Sequence, residues 1–237
     1  WDLARPVQDL PVPTSVESVV SVRIDRLEAD VRRALRYASA EGERFLSTVL
    51  AEVLQTDELE LEERLAIAER VHRVVESTGA LEFDWDLSTV YEFTHALFRE
   101  TLYAHLRPKE RVLLHRRTGL ALEELYGDTA PEIASELAIH FREGRLFDKA
   151  FEYSLAAANR AKRLYAVQEA MDHFQQAHKL LERVEGTREQ RLLIEEGLAD
   201  MLSLQARHDL ALEHLERARK LIADPDQMAE PLARLCR

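Results

Sequence analysis

The 237-residue sequence contains little glycine and proline and almost no cysteine: seven glycines, seven prolines and the single Cys236. An ordinary soluble domain holds about 12% of glycine and proline together, and folds with many strands and tight turns need both residues as breaks. A β-sandwich, barrel or propeller is therefore not expected. A lone cysteine excludes a disulfide framework within the chain and favours a cytoplasmic location.

Sequence patterns for nucleotide or metal chemistry are also missing. No glycine belongs to G-x4-G-K-[ST] or G-x-G-x-x-G, so this chain alone is not expected to hydrolyse nucleotide. His95, His105 and His115 recur every ten residues, but Pro108 interrupts the run, and neither H-E-x-x-H nor a Cys/His cluster is present. Nothing selects a general acid/base pair among the 44 acidic residues. We predict no catalytic residue, no metal and no cofactor held by this segment itself.

Membranes and nucleic acids are not expected partners. No apolar run approaches the ~18 residues of a membrane span, and the N-terminus lacks signal-peptide form. The 32 basic and 44 acidic residues give a formal charge of −12, which opposes broad attraction to nucleic acid or anionic lipid. Because the chain starts with Trp1 rather than Met, we expect it to be a segment of a longer protein.

Hydrophobic residues, at 46%, suffice for a sizeable core, and their spacing is mostly helical. Residues 1–13 contain three prolines and predict an extended linker. The helices predicted next are Thr14 to Leu27 (with a capping box at Thr14 and Glu17), Ala29 to Ala40, Phe45 to Leu54, and Asp57 to Val75 (with Glu60 at the capping-box position) ending at Thr78-Gly79.

Residues 80–93 are the only stretch with strand character, and they predict one short β-hairpin. Helices are predicted again from Ala96 to Leu106 and from Glu110 to Leu125, with Gly127 after the second. Three or four helices followed by a hairpin are typical of a winged-helix domain. We therefore predict a winged-helix-like domain with its following helices over residues 14–127.

Residues 128–237 contain small residues at fixed offsets within long helices. Ala170, Phe174 and Ala177 form the pattern A-x3-F/L-x2-A, which recurs 41 residues later, and Ala150 begins a weaker copy about half a repeat earlier. In a tetratricopeptide (TPR) hairpin such alanines let the next helix approach closely. The prediction is a mainly α protein whose second half is a degenerate TPR-like α-solenoid. Its helices are expected near 132–143, 147–163, 166–183, 188–204 and 207–222, with the last stacking on something beyond Arg237.

Direct DNA binding by the winged-helix-like domain is not expected. Residues 1–127 hold 16 basic and 24 acidic residues, and the candidate recognition helix from Phe45 to Gln55 holds no basic residue. One basic stretch, from Arg107 to Arg117, lies within this acidic chain. It is interpreted either as a patch that docks an acidic neighbouring domain or as solvated surface.

Several ordered motifs between residues 10 and 182 resemble the middle part of bacterial STAND-type regulatory ATPases. These are large AAA-like or LuxR-type transcriptional activators, some of them fused to nucleotide cyclases. The motifs are P-x-S-V (13–16), R-I-D-R-L (23–27), A-S-A-E-G-x-x-F (38–45), Y-E-F-T-H-A-L-F-R-E-T-L-Y (91–103) and R-V-L-L-H (111–115).

The resemblance implies an architecture and a site. In this family a P-loop domain precedes a helical lid, a winged helix and a TPR-like arm that senses a protein partner or small inducer. ATP or ADP would bind to the parent protein, and active members often assemble into oligomers. His95 resembles the histidine that related ATPases place against the phosphates of bound ADP, and Arg99, one turn later, would support it more weakly. The alternative is that His95 is a partly buried helix cap packed on Tyr91 and Phe98.

Two functions follow from these predictions. The first is a regulatory and protein-interaction segment that couples nucleotide state to partner or inducer binding in a signal-transduction NTPase. The second is a stand-alone TPR-like scaffold that binds a peptide or helix without any nucleotide role.

Overall fold

The computed structural model describes residues 16–84 and 86–222, and these are mainly helical with one small antiparallel sheet. The predicted linker at 1–13, Thr14 and Cys236 lie outside the described residues. The helices are α1 (Val16–Asp25), α2 (Ala29–Glu41), α3 (Ser47–Leu54), α4 (Glu58–Ile67), α5 (Ala96–Ala104), α6 (Pro108–Tyr126), α7 (Ala134–Glu143), α8 (Phe147–Arg163), α9 (Val167–Leu180), α10 (Arg188–Leu204) and α11 (His208–Leu221). The strands are β1 (Arg44–Leu46), β2 (Val75–Glu82) and β3 (Leu87–Phe93). A π-helical turn (Ala68–His72) continues α4, and a 3-10 segment (Gly127–Ile133) follows α6.

The chain divides into two compact units, the first ending at Ala121 and the second beginning at Leu122. Unit 1 contains the three-stranded sheet, in the order β1–β3–β2. Strands β2 and β3 form a hairpin in which Val75 lies opposite Phe93, and β1 pairs with the other edge of β3. The sheet thus has one strand more than the predicted hairpin.

The additional strand, β1, corrects the prediction of a helix starting at Phe45. Residues Arg44–Leu46 pair with β3, and α3 begins only at Ser47. The buried ring of Phe45 lies 5.7 Å from that of Tyr91 and 5.5 Å from that of Phe93. Pairing and aromatic packing with β3 therefore outweigh the local helical preference.

The helix predicted from Asp57 to Val75 also ends early. Asp57 is its N-cap, as predicted, and accepts a first-turn backbone N–H at 3.1 Å. The helical turns stop at His72 because Arg73 takes a left-handed conformation (φ 52°), after which Val75 begins β2. Gly79, predicted to end the helix, instead lies at a bulge in β2 with φ 146°, a conformation that favours glycine.

Unit 1 has a hydrophobic core between its helices and the sheet, to which α1 through α5 and β1 all contribute. The largest fully buried side chains are those of Ile24, Leu35, Phe45, Leu50, Leu61, Leu65 and Leu102. Burial of a large apolar side chain stabilises a fold by about 1.5–3 kcal/mol. The core fixes the ends of β3 and α5, between which His95 lies.

Unit 2 consists of helices that pack on their neighbours in sequence, close to the predicted ranges. The turns after α7, α8 and α10 share one conformation, with φ 58° at Arg145, Tyr165 and Ala206. In each turn the N–H of the next residue donates to the carbonyl five residues earlier, at 2.8–3.0 Å. Tyr165 and Ala206 lie 41 residues apart, the predicted repeat spacing.

Small residues allow close helix approach in unit 2. The alanines that the sequence analysis placed in the motif are 0–3% exposed; they are Ala150, Ala170, Ala177, Ala211 and Ala218. Gly197 of α10 is equally constrained, since a Cβ at this position would lie 2.3 Å from Cζ of the fully buried Phe174. These positions set the spacing between α8, α9, α10 and α11.

Candidate functional site

His95 lies between β3 and α5, and hydrogen bonds hold the backbone on both sides of it. The Thr94 N–H donates to the Val74 carbonyl at 3.0 Å, and its Oγ1 donates to the Arg73 carbonyl at 3.0 Å. These bonds tie the end of β3 to the residues that precede β2. His95 is the N-cap of α5, and its Nδ1 accepts the Leu97 N–H at 3.1 Å. The backbone bonds of Thr94 and the bond to Nδ1 therefore hold the His95 imidazole in one orientation.

The capping bond also decides which nitrogen of His95 carries the proton. Because Nδ1 accepts a hydrogen bond, the neutral ring carries its hydrogen on Nε2. The side chain is exposed, and Nε2 has no hydrogen-bond partner among residues 16–84 and 86–222. The expectation of a partly buried cap is therefore wrong in its burial, although His95 does cap α5. The result is a fixed donor beside the positive end of a helix dipole.

Arg99 is placed differently from His95. Its Nε donates to the Ser39 carbonyl at 3.2 Å, and its guanidinium carbon lies 5.8 Å from the ring centroid of Tyr103. The side chain is half-buried and joins α5 to the C-terminal part of α2. Arg99 thus positions the helix that carries His95, while the donor of His95 has no partner among the described residues.

Arg23 of α1 lies in the same region, although the sequence analysis did not single it out. Its Nη2 donates to the Arg73 carbonyl at 3.2 Å, the same oxygen that accepts the Thr94 hydroxyl. Its guanidinium carbon lies 4.8 Å from the ring centroid of Phe98, on the first turn of α5. Arg23 therefore places a half-buried positive charge against the first turn of α5, the helix that His95 caps. Arg23 precedes His95 by 72 positions in the sequence, so no local pattern indicated that it lies against this helix.

The regular spacing of the three histidines does not produce a common site. His105 is exposed at the C-terminal end of α5, whereas His115 is buried with its Nε2 2.9 Å from the Tyr103 hydroxyl. Within the described ranges, no group of three or more His, Cys, Asp or Glu side chains is arranged to hold a metal ion. The three positions therefore act separately in unit 1.

Two arginines of the basic stretch bind backbone carbonyls inside unit 1. Arg111 donates to Leu106 and Ala104 at 3.1 and 3.2 Å, just after and at the C-terminal end of α5. Arg117 donates to Val53 near the end of α3, at 3.3 Å. Cations at helix C-termini complement the helix dipole. These two side chains stabilise helix ends, a role that neither sequence interpretation of the stretch included.

A second polar cluster, which the sequence analysis missed, lies in unit 2. Glu195 of α10 is buried, with Oε2 2.7 Å from Nδ1 of His214 and Oε1 3.5 Å from Nδ1 of His178. The two histidines come from α11 and α9, so the carboxylate joins three helices. A cavity of about 290 Å³ adjoins this cluster. Its lining residues are Met171, Gln175, His178, Lys179, Leu198, Leu202, Arg207, Leu210, His214 and Arg217.

No protein-family model, curated protein or solved structure matches this chain. The resemblance to STAND-type ATPases therefore stays a sequence-based prediction. None of the helices between residues 16 and 222 combines the length and the apolar character needed to cross a bilayer.

Proposed function

We propose that this chain is the regulatory and protein-interaction segment of a signal-transduction NTPase. Unit 1 would read the nucleotide state of an adjacent nucleotide-binding domain, and unit 2 would bind a partner or inducer. The observation that carries this proposal is the Nε2–H of His95, an exposed and rigidly held donor at a helix N-terminus. Such a donor suits a phosphate oxygen.

The topology of both units supports this assignment. In unit 1 the element order α2–β1–α3–α4–β2–β3 and the sheet order β1–β3–β2 are those expected of a winged helix. In unit 2 the repeated left-handed turns and the buried alanines are what a degenerate TPR-like solenoid requires. A winged helix and a TPR-like arm are the folds that the family resemblance implies.

The proposed switch depends on differential binding. ADP would favour the closed state, in which its phosphate accepts a hydrogen bond from the Nε2–H of His95, and an inducer on unit 2 would favour the open state. A hydrogen bond to a charged group contributes about 1.5–3 kcal/mol, so its loss would weaken ADP binding about 10- to 100-fold. Basal output of the parent protein would rise accordingly.

The test uses two substitutions that separate capping from phosphate binding in the full-length protein. His95→Ser keeps an N-cap oxygen but removes the imidazole donor, whereas His95→Ala removes both. We expect both variants to lose ADP affinity and only His95→Ala to lose about 1 kcal/mol of stability. His105→Ala, at the exposed opposite end of α5, is the matched control and should change neither property.

Unchanged ADP affinity and basal output in His95→Ser would show that His95 only caps α5. Reading the gene upstream of Trp1 gives an independent test, since the proposal requires G-x4-G-K-[ST] there. Without that motif the nucleotide role fails. The remaining function would then be a TPR-like scaffold.

A further inference from the structure

The cavity between α9, α10 and α11 has an apolar floor and a cationic rim. Met171, Leu198 and Leu202 form the floor and are at most 5% exposed. The rim carries the exposed side chains of Lys179, Arg207 and Arg217. None of the ten described lining residues is acidic. This polarity contrasts with the formal charge of −12 for the whole chain.

Two of the three rim cations have no direct counter-charge among residues 16–84 and 86–222. Lys179 and Arg207 form no ion pair and no side-chain hydrogen bond with any described residue. Arg217 contacts Glu213 at 3.5 Å, a long and exposed pair of the kind that contributes at most about 1 kcal/mol. Within the part of the chain that the structure describes, Glu213 is therefore the one carboxylate in direct contact with these three cations.

The carboxylate of Glu195, which adjoins the cavity, already contacts two histidines. Glu195 lies 2.7 Å from Nδ1 of His214 and 3.5 Å from Nδ1 of His178, and both histidines line the cavity. A buried carboxylate needs polar partners of this kind. Glu195 itself does not line the cavity, where the two histidines lie instead, so the described lining contains no carboxylate. The two histidines also fix α9 and α11 on either side of α10.

We propose that this cavity binds a small organic anion with an apolar body, such as a medium-chain carboxylate. The apolar body would lie on Met171, Leu198 and Leu202, and the carboxylate would lie at the rim near Arg207 and Arg217. The volume of about 290 Å³ is at the small end of ligand pockets, which favours a small molecule over a folded partner. The inference specifies the inducer class of the proposed function but requires no nucleotide.

Methyl NMR of the 237-residue chain labelled at its methionines tests this proposal directly. The sequence has three methionines, of which Met171 lines the cavity and the buried Met201 does not. Sodium octanoate should shift the Met171 signal, assigned with Met171→Leu, and leave Met201 unchanged. Ten heavy atoms at about 0.3–0.5 kcal/mol each give a Kd on the order of 1 mM.

Chemical analogues and variants separate charge from apolar contact. Octanamide lacks the charge and acetate lacks the apolar body, so both should bind at least about fivefold more weakly, and octylammonium should not bind. Arg207→Gln and Arg217→Gln should each weaken octanoate binding about two- to fivefold. Arg219→Gln is the matched control, because Arg219 is an exposed cation on α11 outside the cavity lining.

Three results would overturn the proposal. The first is an unshifted Met171 signal at an octanoate concentration 10-fold above the expected Kd, and the second is equal affinity for octanamide and octanoate. The third is an equal loss of octanoate affinity in Arg219→Gln and Arg207→Gln. Binding only to an acidic peptide, or self-association that Arg207→Gln weakens, would assign the cavity to a macromolecule instead. Each outcome is independent of ADP. Failure here therefore leaves the His95 test intact, and the reverse also holds.

Discussion

Replacing Gly197 by alanine tests the closest helix contact in unit 2. An ideal Cβ at Gly197 would lie 2.3 Å from Cζ of Phe174 and 2.6 Å from its Cε1 and Cε2. Nonbonded carbons prefer separations of about 3.5–4.0 Å, so the ring or α10 would have to move by roughly an ångström. Phe174 is fully buried, so its ring has no solvent-filled space to enter.

The expected loss of stability is the difference between two terms. Alanine in a helix interior is favoured over glycine by about 1 kcal/mol. Overpacking of a filled core costs about 1–3 kcal/mol, and a clash with three ring carbons belongs at the upper end of that range. The free energy of unfolding should therefore fall by about 1–2 kcal/mol in Gly197→Ala.

Urea denaturation followed by far-UV circular dichroism measures this change, and a double-mutant cycle identifies its cause. Phe174→Leu makes room for the new methyl group, so Gly197→Ala should cost less in that background than alone. Gly186→Ala is the control, since its closest contact is the movable end of the half-buried Leu181 side chain. A stabilised Gly197→Ala, or additive effects of the Gly197 and Phe174 changes, would refute the close packing of α9 on α10.

Three further predictions concern single side chains. Asp57→Ala should cost about 1 kcal/mol in urea denaturation by removing the cap of α4, and Asp57→Ser should recover most of it; equal losses would exclude capping as the cause. Burial lowers the pKa of His173 in the folded protein, so protonation of this histidine favours the unfolded chain. The free energy of unfolding should therefore fall as the pH drops below about 6.5, the ordinary pKa of histidine. Melting curves of His173→Gln should show a smaller fall in stability over the same pH range. Tyr153→Phe should lower the free energy of unfolding by about 1 kcal/mol, because the Tyr153 hydroxyl donates to Glu123 at 2.8 Å. Glu123→Ala should lower it further, because this change also leaves Lys149 without its carboxylate partner. A larger loss in Tyr153→Phe than in Glu123→Ala would contradict this arrangement.

The helices of unit 2 were predictable because their signals are local. Ala170 and Ala177, with Phe174 between them, are all 0% exposed in α9, as their spacing requires. The predicted ranges 147–163 and 188–204 coincide with α8 and α10. Helix packing through small residues is encoded within one or two turns, so a single sequence is enough to detect it.

The sheet was harder to predict because its first strand depends on distant residues. Phe45 and Leu46 belong to a helical stripe locally, yet they pair with Tyr91 and Val90 in β3. Arg73 ends the preceding helical turns in a left-handed conformation. An arginine gives no sequence signal for this conformation, which glycine adopts far more readily. Long-range pairing and non-glycine caps are the features that local patterns leave undetermined.

The two candidate sites also differ in how far the sequence predicts them. His95 was identified through its motif and its place after a strand, and the structure adds the capping bond that orients its ring. The cavity combines three helices, so no motif spans it. One signal was present: Glu195 lies on the apolar stripe of Leu198 and Leu202, and a carboxylate on such a stripe needs buried partners. His214 and His178 supply them.

If both proposed sites act on one conformational equilibrium, thermodynamics links them quantitatively. The factor by which a cavity-bound anion changes ADP affinity must equal the factor by which ADP changes the affinity for that anion. A ligand that binds the two states equally shifts nothing, so tight binding at the cavity alone does not make it a regulatory site. The charge arrangement around Lys179, Arg207 and Arg217 therefore accounts for recognition, whereas regulation requires a difference between the two states of the parent protein. Reciprocal titrations of octanoate and ADP on that protein measure this difference, and equal affinities in the presence and absence of the other ligand would leave two independent anion sites.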